Sequence, residues 1–239
     1  MTQQSSRTIK QIPTPKSLIL PTLRTVAIGF VAFGLLLFIP ATTLNYWQAW
    51  VFIVVFLVSV NSIGLYLSLK DPELLERRKK FGPATETAPA QKIIMSVALI
   101  SIVALLIFCA LDHRFGWSPV SPLVAVIGDV LVALGLFINL LVFKENSFGG
   151  STVEKFEGQK VISSGPYSFV RHPMYVGVLV MITGVPLALG SWWGLAILVI
   201  TTPILAWRIL DEEKMLKQEL TGYVEYMQKV QYRLLPYVW

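Results

Sequence analysis

The sequence is poor in charged residues and nearly free of cysteine. Of its 239 residues, 14% are charged and 54% are hydrophobic, whereas ordinary soluble domains carry about 25% charged residues. This composition is not that of a soluble globular protein, nor of a disordered chain, which combines low hydrophobicity with high net charge. The single cysteine, Cys109, lies inside an apolar run and excludes an intrachain disulfide. The composition therefore indicates an integral membrane protein.

The long apolar runs predict membrane-spanning helices. They cover residues 25–41, 47–69, 93–111, 120–143 and, with an interruption, 174–207. About 20 helical residues cross a hydrocarbon core of about 30 Å, so the first four runs are long enough to span it. Pro186 and the Gly190-Ser191 pair interrupt the fifth run, which predicts two helices in a tight hairpin. We therefore expect an all-α, polytopic membrane bundle of four transmembrane helices plus a C-terminal helical hairpin, with five to six membrane segments.

The chain divides into three regions by composition. We expect a polar N-terminal leader over residues 1–21, a four-helix transmembrane region over 22–143, and a catalytic and cofactor-binding region over 144–239 that contains the membrane hairpin 173–210. The last region mixes polar, aromatic and charged residues with apolar ones, so function is expected there. No G-x-G-x-x-G motif follows a strand, and a Rossmann cofactor domain is therefore not supported.

Basic residues outnumber acidic ones by 20 to 14, which gives a net charge of +6. They lie between the apolar runs, and this placement indicates membrane topology rather than nucleic-acid binding. All of them except Arg114 fall on one side of the predicted membrane. The positive-inside rule then places both termini in the cytoplasm. The two histidines, His113 and His172, fall on opposite sides, so no metal site is expected.

The polar segment 144–171 leads into the hairpin and is the first candidate for a ligand site. It holds Asn146 and several glycines, where the backbone can approach a ligand closely. Pro173 is predicted to begin the hairpin helix, with His172 near its N-cap. A helix N-terminus beside Arg171 favours an anionic ligand group. The alternative is that Arg171 and His172 only mark the membrane boundary.

A second polar cluster follows the hairpin. Arg208 and Glu212 are four residues apart and share one face of a helix, and Asp211, Glu212 and Glu213 are consecutive carboxylates near hydrocarbon. Charges at that depth are costly unless they are paired or functional. The alternative is an exposed polar face with an ordinary intrahelical ion pair. Gly222 is predicted to end this helix, and the aromatic residues after it either anchor the membrane interface or line a ligand site.

Together these residues resemble the isoprenylcysteine carboxyl methyltransferase family and its phospholipid N-methyltransferase relatives. The pattern consists, in order, of Gly165-Pro166-Tyr167, Arg171-His172-Pro173-Met174-Tyr175, Gly177, Arg208, Glu212-Glu213, Tyr223, Tyr226 and Arg233-Leu234-Leu235-Pro236. Asn146 and the run Gln159-Lys160-Val161-Ile162 ahead of it resemble prokaryotic members. The resemblance implies an S-adenosylmethionine-dependent methyltransferase in the inner membrane of a prokaryotic cell, acting at the cytoplasmic face. Its acceptor would be lipophilic and enter from the bilayer: the carboxylate of an isoprenyl-type or prenylated substrate, or a lipid head group.

The resemblance also implies roles for individual residues. The cofactor contacts would be Tyr167, Arg171, His172, Pro173, Tyr175, Gly177, Glu212 and Glu213. Carboxylates suit the amine or the ribose diol of S-adenosylmethionine, Arg171 suits its carboxylate, and tyrosine rings suit its sulfonium. Arg208, Glu212 and His172 are the expected catalytic residues: Arg208 orients a carboxylate acceptor, whereas His172 or Glu212 deprotonates an amine acceptor. Asn146, Tyr226 and Arg233 are expected to contact the substrate.

Two other functions compete with this interpretation. Sterol-reductase-type membrane enzymes that use NADPH share an Arg-His-Pro-x-Tyr element, although they typically carry Asn where Met174 stands. A membrane scaffold without activity is the other alternative. Asp129, an acid inside the fourth run, is either functional or a hydrated group near the outer end. The basic run 77–80 either binds anionic lipid or only marks membrane topology.

Overall fold

The computed structural model describes residues 15–239, with side chains from residue 18 onward. The helices are α1 (Pro15–Ala41), α2 (Trp47–Lys70), α3 (Pro72–Lys79), α4 (Pro89–Phe115), α5 (Pro122–Glu145), α6 (Pro173–Ala188), α7 (Ile197–Glu219) and α8 (Tyr223–Lys229). Short 3₁₀ turns lie at Pro83–Thr85, Gly165–Ser168 and Trp193–Ala196. No strand occurs within the described range, and the predicted all-α membrane bundle is confirmed.

Five of the helices within residues 15–239 are long and apolar enough to cross a membrane. They are α1 from Leu18 onward, α2, α4, α5, and α7 together with the turn before it. Helix α6 has only 16 residues, which at a rise of 1.5 Å is about 24 Å and shorter than a hydrocarbon core of about 30 Å. The predicted hairpin is therefore asymmetric, with one short helix and one long helix. Of the predicted polar leader, residues 1–14 lie outside the described residues, and α1 begins at Pro15.

Glycines allow α5 and α6 to pack closely. A Cβ on Gly135 of α5 would lie 2.4 Å from the carbonyl oxygen of Gly177, and a Cβ on Gly184 of α6 would lie 2.7 Å from that of Gly128. Small residues at such contacts let membrane helices approach backbone to backbone. Because Pro173 is the first residue of α6, this contact fixes the start of α6 next to the end of α5.

A buried polar cluster holds the hairpin turn at the far end of the bundle, away from the start of α6. Asp112 on α4 accepts the Ser118 N–H at 2.8 Å and short hydrogen bonds from the hydroxyls of Ser118 and Ser191. The Tyr46 hydroxyl donates to the Leu189 carbonyl at 2.6 Å. The turn after α6 is thus tied to α4 and to the start of α2. The predicted turn at residues 189–192 lies between the end of α6 at Ala188 and the 3₁₀ turn that begins at Trp193.

Candidate active site

A pocket opens at the opposite end of the bundle, where α5 ends and α6 begins. Its empty volume is about 790 Å³, part of which is open to solvent. One wall is formed by the loop after α5, between residues 146 and 162. A second wall is formed by residues 171–175 with Tyr167, and a third by the end of α7 and by α8. Three segments that are separate in the sequence therefore surround one cavity.

The start of α6 has the predicted geometry. His172 is its N-cap and Pro173 is its first residue, because proline lacks the N–H that a first-turn residue leaves unused and has φ fixed near the helical value. No side chain caps this helix end. Arg171 and His172 also pair through their backbone N–H groups with the carbonyls of Tyr232 and Arg233, each at 2.9 Å. The last residues of the chain thus support the pocket wall.

Glu213 is fully buried beside two arginines and a histidine. Its Oε1 accepts from Arg171 Nε at 2.8 Å and lies 3.3 Å from His172 Nε2, and its Oε2 accepts from Arg233 Nε at 3.0 Å. Arg171 also donates through Nη1 to the Val230 and Gln231 carbonyls. Arg233 lies over the ring of Trp239, with Cζ 5.1 Å from the ring centroid. Both oxygens of Glu213 are occupied, and Glu213 does not line the pocket.

Glu212, the residue before it, has a different environment. Its Oε2 accepts one hydrogen bond, from the Tyr175 hydroxyl at 2.7 Å, and no basic side chain within the described residues forms an ion pair with it. Its side chain lines the pocket. Glu212 is therefore a carboxylate with unused acceptor capacity facing a cavity, which suits an incoming amine, cation or hydroxyl pair.

Tyrosines surround this carboxylate. Tyr167, Tyr175, Tyr223 and Tyr226 all line the pocket, and the Tyr223 hydroxyl is buried without a hydrogen-bond partner among the described residues. Burial raises the pKa of Tyr223 and raises that of Tyr167 to about 12. Both hydroxyls are therefore protonated donors at neutral pH. A buried hydroxyl without a partner is costly unless a ligand or water pairs with it, so Tyr223 is a natural ligand contact.

Arg208 lies at the centre of a second network on α7. It donates through Nε to the Tyr175 hydroxyl at 3.1 Å, through Nη1 to Gln91 at 2.7 Å, and through Nη2 to Glu86 at 2.9 Å and to the Ser151 carbonyl at 2.9 Å. Its hydrogen bonds thus join α7 to α4, α6 and the pocket loop. The alternative of an intrahelical ion pair with Glu212 is wrong, because Arg208 pairs with Glu86 and reaches Glu212 only through the Tyr175 hydroxyl.

An apolar groove meets this network from the membrane side. It has an empty volume of about 460 Å³ and runs between α4, α6 and α7, with Ile94, Ile102, Val178 and Leu205 among its walls. Arg208 is its one charged lining residue among the described residues. The groove is chemically suited to a hydrocarbon chain. Arg208, Tyr175 and Glu212 therefore form a continuous chain of hydrogen bonds from the groove to the polar pocket.

The pocket loop is held by α3. Arg78 donates through Nη1 to the carbonyls of Gly149 and Gly150 at 3.0 and 3.3 Å, and its Cζ lies 4.2 Å from the centroid of the Phe143 ring. Arg77 donates to the Ser147 carbonyl at 2.7 Å. Burial lowers the pKa of Arg78 to about 10, which leaves it charged at neutral pH. Two residues of the basic run 77–80 thus support the loop, a role for which the sequence offered no signal.

The structure brings most of the predicted site residues together. Asn146, Tyr167, Arg171, His172, Pro173, Tyr175, Glu212 and Tyr226 line the pocket. Asn146 and Tyr226 act on Tyr167: Asn146 Nδ2 donates to its hydroxyl at 2.8 Å, and the Tyr226 hydroxyl donates to its carbonyl at 2.7 Å. These two predicted substrate contacts therefore also hold Tyr167, a predicted cofactor contact, in the pocket wall.

The other predicted site residues lie behind the pocket wall. Gly177 is in the α5–α6 contact, where a Cβ would lie 2.6 Å from Asn139 Oδ1. Arg233 and Glu213 pair with each other, and Arg208 lines the groove rather than the pocket. Asp129, about 24 Å along α5 from Glu145 at a rise of 1.5 Å per residue, does not line the pocket either.

One other sequence expectation needs correction. Helix α7 ends at Glu219, and Gly222, which was expected to end it, is the N-cap of α8 with φ +88°. A positive φ is readily adopted by glycine, so the chain turns there into the next helix. The sequence analysis also missed Glu86 and Gln91. Their side-chain partners, Arg208 and Asp211, lie more than 100 residues away, and short-range patterns do not reveal such pairs.

Comparison with known proteins identifies a family model that matches part of the chain. A family model described as phospholipid methyltransferase matches residues 123–221. The matched range contains α5, the pocket loop, α6 and α7, and therefore both Arg171-His172-Pro173 and Arg208 with Glu212-Glu213. It leaves out α3, Glu86, Gln91 and α8. No curated protein matches the chain.

Proposed function

A model of the phospholipid methyltransferase family matches residues 123–221, and from this premise we propose that the protein transfers the methyl group of S-adenosylmethionine to a lipophilic acceptor at the cytoplasmic membrane face. The observation that carries the proposal is the junction of two cavities. A polar pocket and an apolar groove meet at the hydrogen-bonded chain Glu212, Tyr175, Arg208. A polar methyl donor in the pocket and a lipid acceptor in the groove would meet at this junction.

The pocket residues fit the cofactor group by group. Bound S-adenosylmethionine would supply an activated methyl group on a positively charged sulfur. Glu212, which has no ion-pair partner in the part of the chain that the structure describes, suits the amine or the ribose diol. The Tyr223 hydroxyl, which has no hydrogen-bond partner there either, is available to the ligand. The rings of Tyr167, Tyr175 and Tyr226 suit the sulfonium by cation–π attraction. The carboxylate suits Arg171, whose Nη2 makes no hydrogen bond among the described residues, and the uncapped start of α6.

The chain's own residues contribute positioning and exclusion of water. Methyl transfer is an in-line displacement, and effective alignment of two reactants lowers the barrier by several kcal/mol. The groove holds the hydrocarbon part of the acceptor, and Arg208 meets its head group where the groove ends. A carboxylate acceptor needs no base. An amine acceptor must lose a proton, and Glu212 or His172, both at the pocket wall, would take it.

The proposal includes an orientation in the membrane. The pocket end of the bundle carries α3, the segment 144–171 and the residues after α7, where the basic residues concentrate. From the positive-inside rule we propose that this end faces the cytoplasm, with both termini on that side. From the resemblance to prokaryotic members we propose that the membrane is the inner membrane of a prokaryotic cell. Within this orientation the acceptor is an isoprenyl-type carboxylate or a lipid head group.

Titration calorimetry of the detergent-purified protein tests the proposal. S-adenosylmethionine and S-adenosylhomocysteine should both bind to the wild type. Glu212→Gln removes a charge-assisted contact worth about 1.5–3 kcal/mol, so affinity for both ligands should fall by roughly 10- to 100-fold. Glu219→Gln is the matched control, because Glu219 is an exposed residue on the same helix, and it should bind as the wild type does.

Absence of binding to either ligand, in protein shown to be folded by circular dichroism, would overturn the proposal. NADPH titrated in parallel covers the reductase alternative. Equal binding by the wild type and Glu212→Gln would leave methyl transfer possible but remove Glu212 from the site.

A further inference from the structure

The Arg208 guanidinium is held from several sides. Arginine carries five N–H donors in a planar fork, and four of them are used: one each by the Tyr175 hydroxyl and Gln91, and two by Glu86 and the Ser151 carbonyl. The remaining N–H is on Nη1. Arg208 lines the end of the apolar groove, so this N–H is the donor that is left for a head group arriving there.

Glu86 uses both carboxylate oxygens. Its Oε1 accepts from Arg208 Nη2 at 2.9 Å, and its Oε2 accepts the backbone N–H of Val153 at 3.1 Å. Val153 lines the cofactor pocket, and Glu86 is buried. An amide in this place could accept with only one oxygen and would lose one of the two contacts. The carboxylate therefore links the position of Arg208 to the pocket loop and compensates its charge.

Gln91 uses both ends of its amide in the same way. Its Oε1 accepts from Arg208 Nη1 at 2.7 Å, and its Nε2 donates to Asp211 Oδ2 at 2.6 Å. The side chain is completely buried. A carboxylate here would face Asp211 with two acceptors and no donor. The amide is therefore the side chain that can join a cation to a carboxylate at this point.

We propose that Glu86 and Gln91 are positioning residues for the transfer reaction, which hold Arg208 in one orientation with its charge compensated and a single N–H free at the end of the groove. The inference rests on the proposed function. It predicts that Arg208 contacts the acceptor head group through one hydrogen bond, because the other four N–H groups of the guanidinium already have partners. Both residues lie outside the matched range 123–221, so this support comes from the part of the chain that the family match does not cover.

The test uses Gln91→Glu and Glu86→Gln, with the exposed Gln218→Glu and Glu219→Gln on α7 as controls for the same chemical changes. Methyl transfer is measured at pH 6 to 9 with two acceptor probes, dioleoyl phosphatidylethanolamine in mixed micelles and an S-farnesyl cysteine analogue. S-adenosylhomocysteine affinity is measured by calorimetry, and thermal unfolding is followed over the same pH range.

For Gln91→Glu we expect kcat at pH 8 to fall roughly 10-fold or more, while the S-adenosylhomocysteine Kd changes less than about threefold. The new carboxyl would be buried beside Asp211, which raises its pKa, and the opposing effect of the Arg208 charge is reduced because Arg208 is already paired with Glu86. The pKa of this carboxyl is then higher in the folded than in the unfolded state. The free energy of unfolding of the variant, relative to the wild type, is therefore highest at low pH and falls as the pH rises above about 4.3, the ordinary pKa of a glutamate. Activity should recover in part toward pH 6, where the protonated carboxyl can donate to Asp211 as Gln91 does.

Glu86→Gln should lower kcat and also weaken S-adenosylhomocysteine binding by a few fold, because Val153 belongs to the pocket wall. Wild-type kcat and a flat pH dependence in Gln91→Glu would overturn the inference. So would a loss of kcat in proportion to a loss of folded protein, because that result indicates a structural role alone. If the wild type binds neither nucleoside ligand, the proposed function fails instead, and the pH dependence of unfolding still decides whether Gln91, Asp211 and Arg208 have the geometry described.

Discussion

The two ends of the bundle both contain buried carboxylates. The difference in how these carboxylates are paired distinguishes residues that hold the fold from residues that are available to a ligand. At the far end, Asp112 is fully paired with Ser118 and Ser191. At the pocket end, Glu213 is paired in the same complete way, but Glu212 accepts one hydrogen bond and the Tyr223 hydroxyl has none among the described residues. Complete pairing marks residues that hold the fold, whereas unused capacity facing a cavity marks residues available to a ligand.

Glu213→Ala should destabilise the pocket end of the bundle and should have the largest effect of these variants. It leaves Arg171 and Arg233 without their buried counter-charge, and removal of one partner from a buried ion pair costs about 3–5 kcal/mol. We expect the unfolding temperature to fall sharply and S-adenosylhomocysteine binding to disappear with it. Glu219→Ala, an exposed change on the same helix, is the control. A stable Glu213→Ala protein that has lost only binding would mean that Glu213 acts directly on the ligand.

Asp112→Ala should destabilise the far end of the bundle without changing ligand affinity at the pocket. It leaves the donors of Ser118 and Ser191 unpaired, and each buried unpaired group costs about 1–3 kcal/mol. Thermal unfolding should therefore show lower stability, while calorimetry at a temperature where the variant is folded should give wild-type ligand affinity. A double-mutant cycle with Ser191→Ala measures the coupling between the two side chains. Reduced affinity in folded Asp112→Ala would show that the two ends are coupled.

Tyr223→Phe should have the smallest effect of these variants. It should weaken ligand binding without lowering the stability of the protein. The hydroxyl has no hydrogen-bond partner to lose among residues 15–239, so stability should stay the same or rise slightly. A ligand hydrogen bond of about 0.5–1.5 kcal/mol would disappear, which is a roughly 2- to 12-fold weaker S-adenosylhomocysteine Kd. Tyr237→Phe, at an exposed tyrosine, is the control. Unchanged affinity in Tyr223→Phe would argue against a contact between this hydroxyl and the ligand.

The sequence predicts the helices well because their signals are local. Apolar runs of membrane length gave α1, α2, α4 and α5, and the interruption near Gly190 gave the hairpin. The start of α6 at Pro173 followed from the conformational limits of proline. These features depend on neighbours in the chain, and so they could be derived without the structure.

The pairing of side chains could not be derived in this way. Glu212 and Glu213 look equivalent in the sequence, yet one faces the pocket and the other is buried, because successive residues on a helix point about 100° apart and the helix packs on one side. The four-residue spacing of Arg208 and Glu212 suggested a local ion pair, but a buried partner from another helix, Glu86, takes the contact. Tertiary packing decided these pairs.

The backbone pairing of Arg171 and His172 with Tyr232 and Arg233 has a consequence for the order of assembly. The membrane helices can insert one after another as the chain is synthesised, but the pocket wall lacks its support until residues 230–239 have been made. Before that point Glu213 lacks Arg233, and Arg171 lacks the carbonyls of Val230 and Gln231. The membrane helices can therefore be in the bilayer while the pocket wall still lacks these contacts.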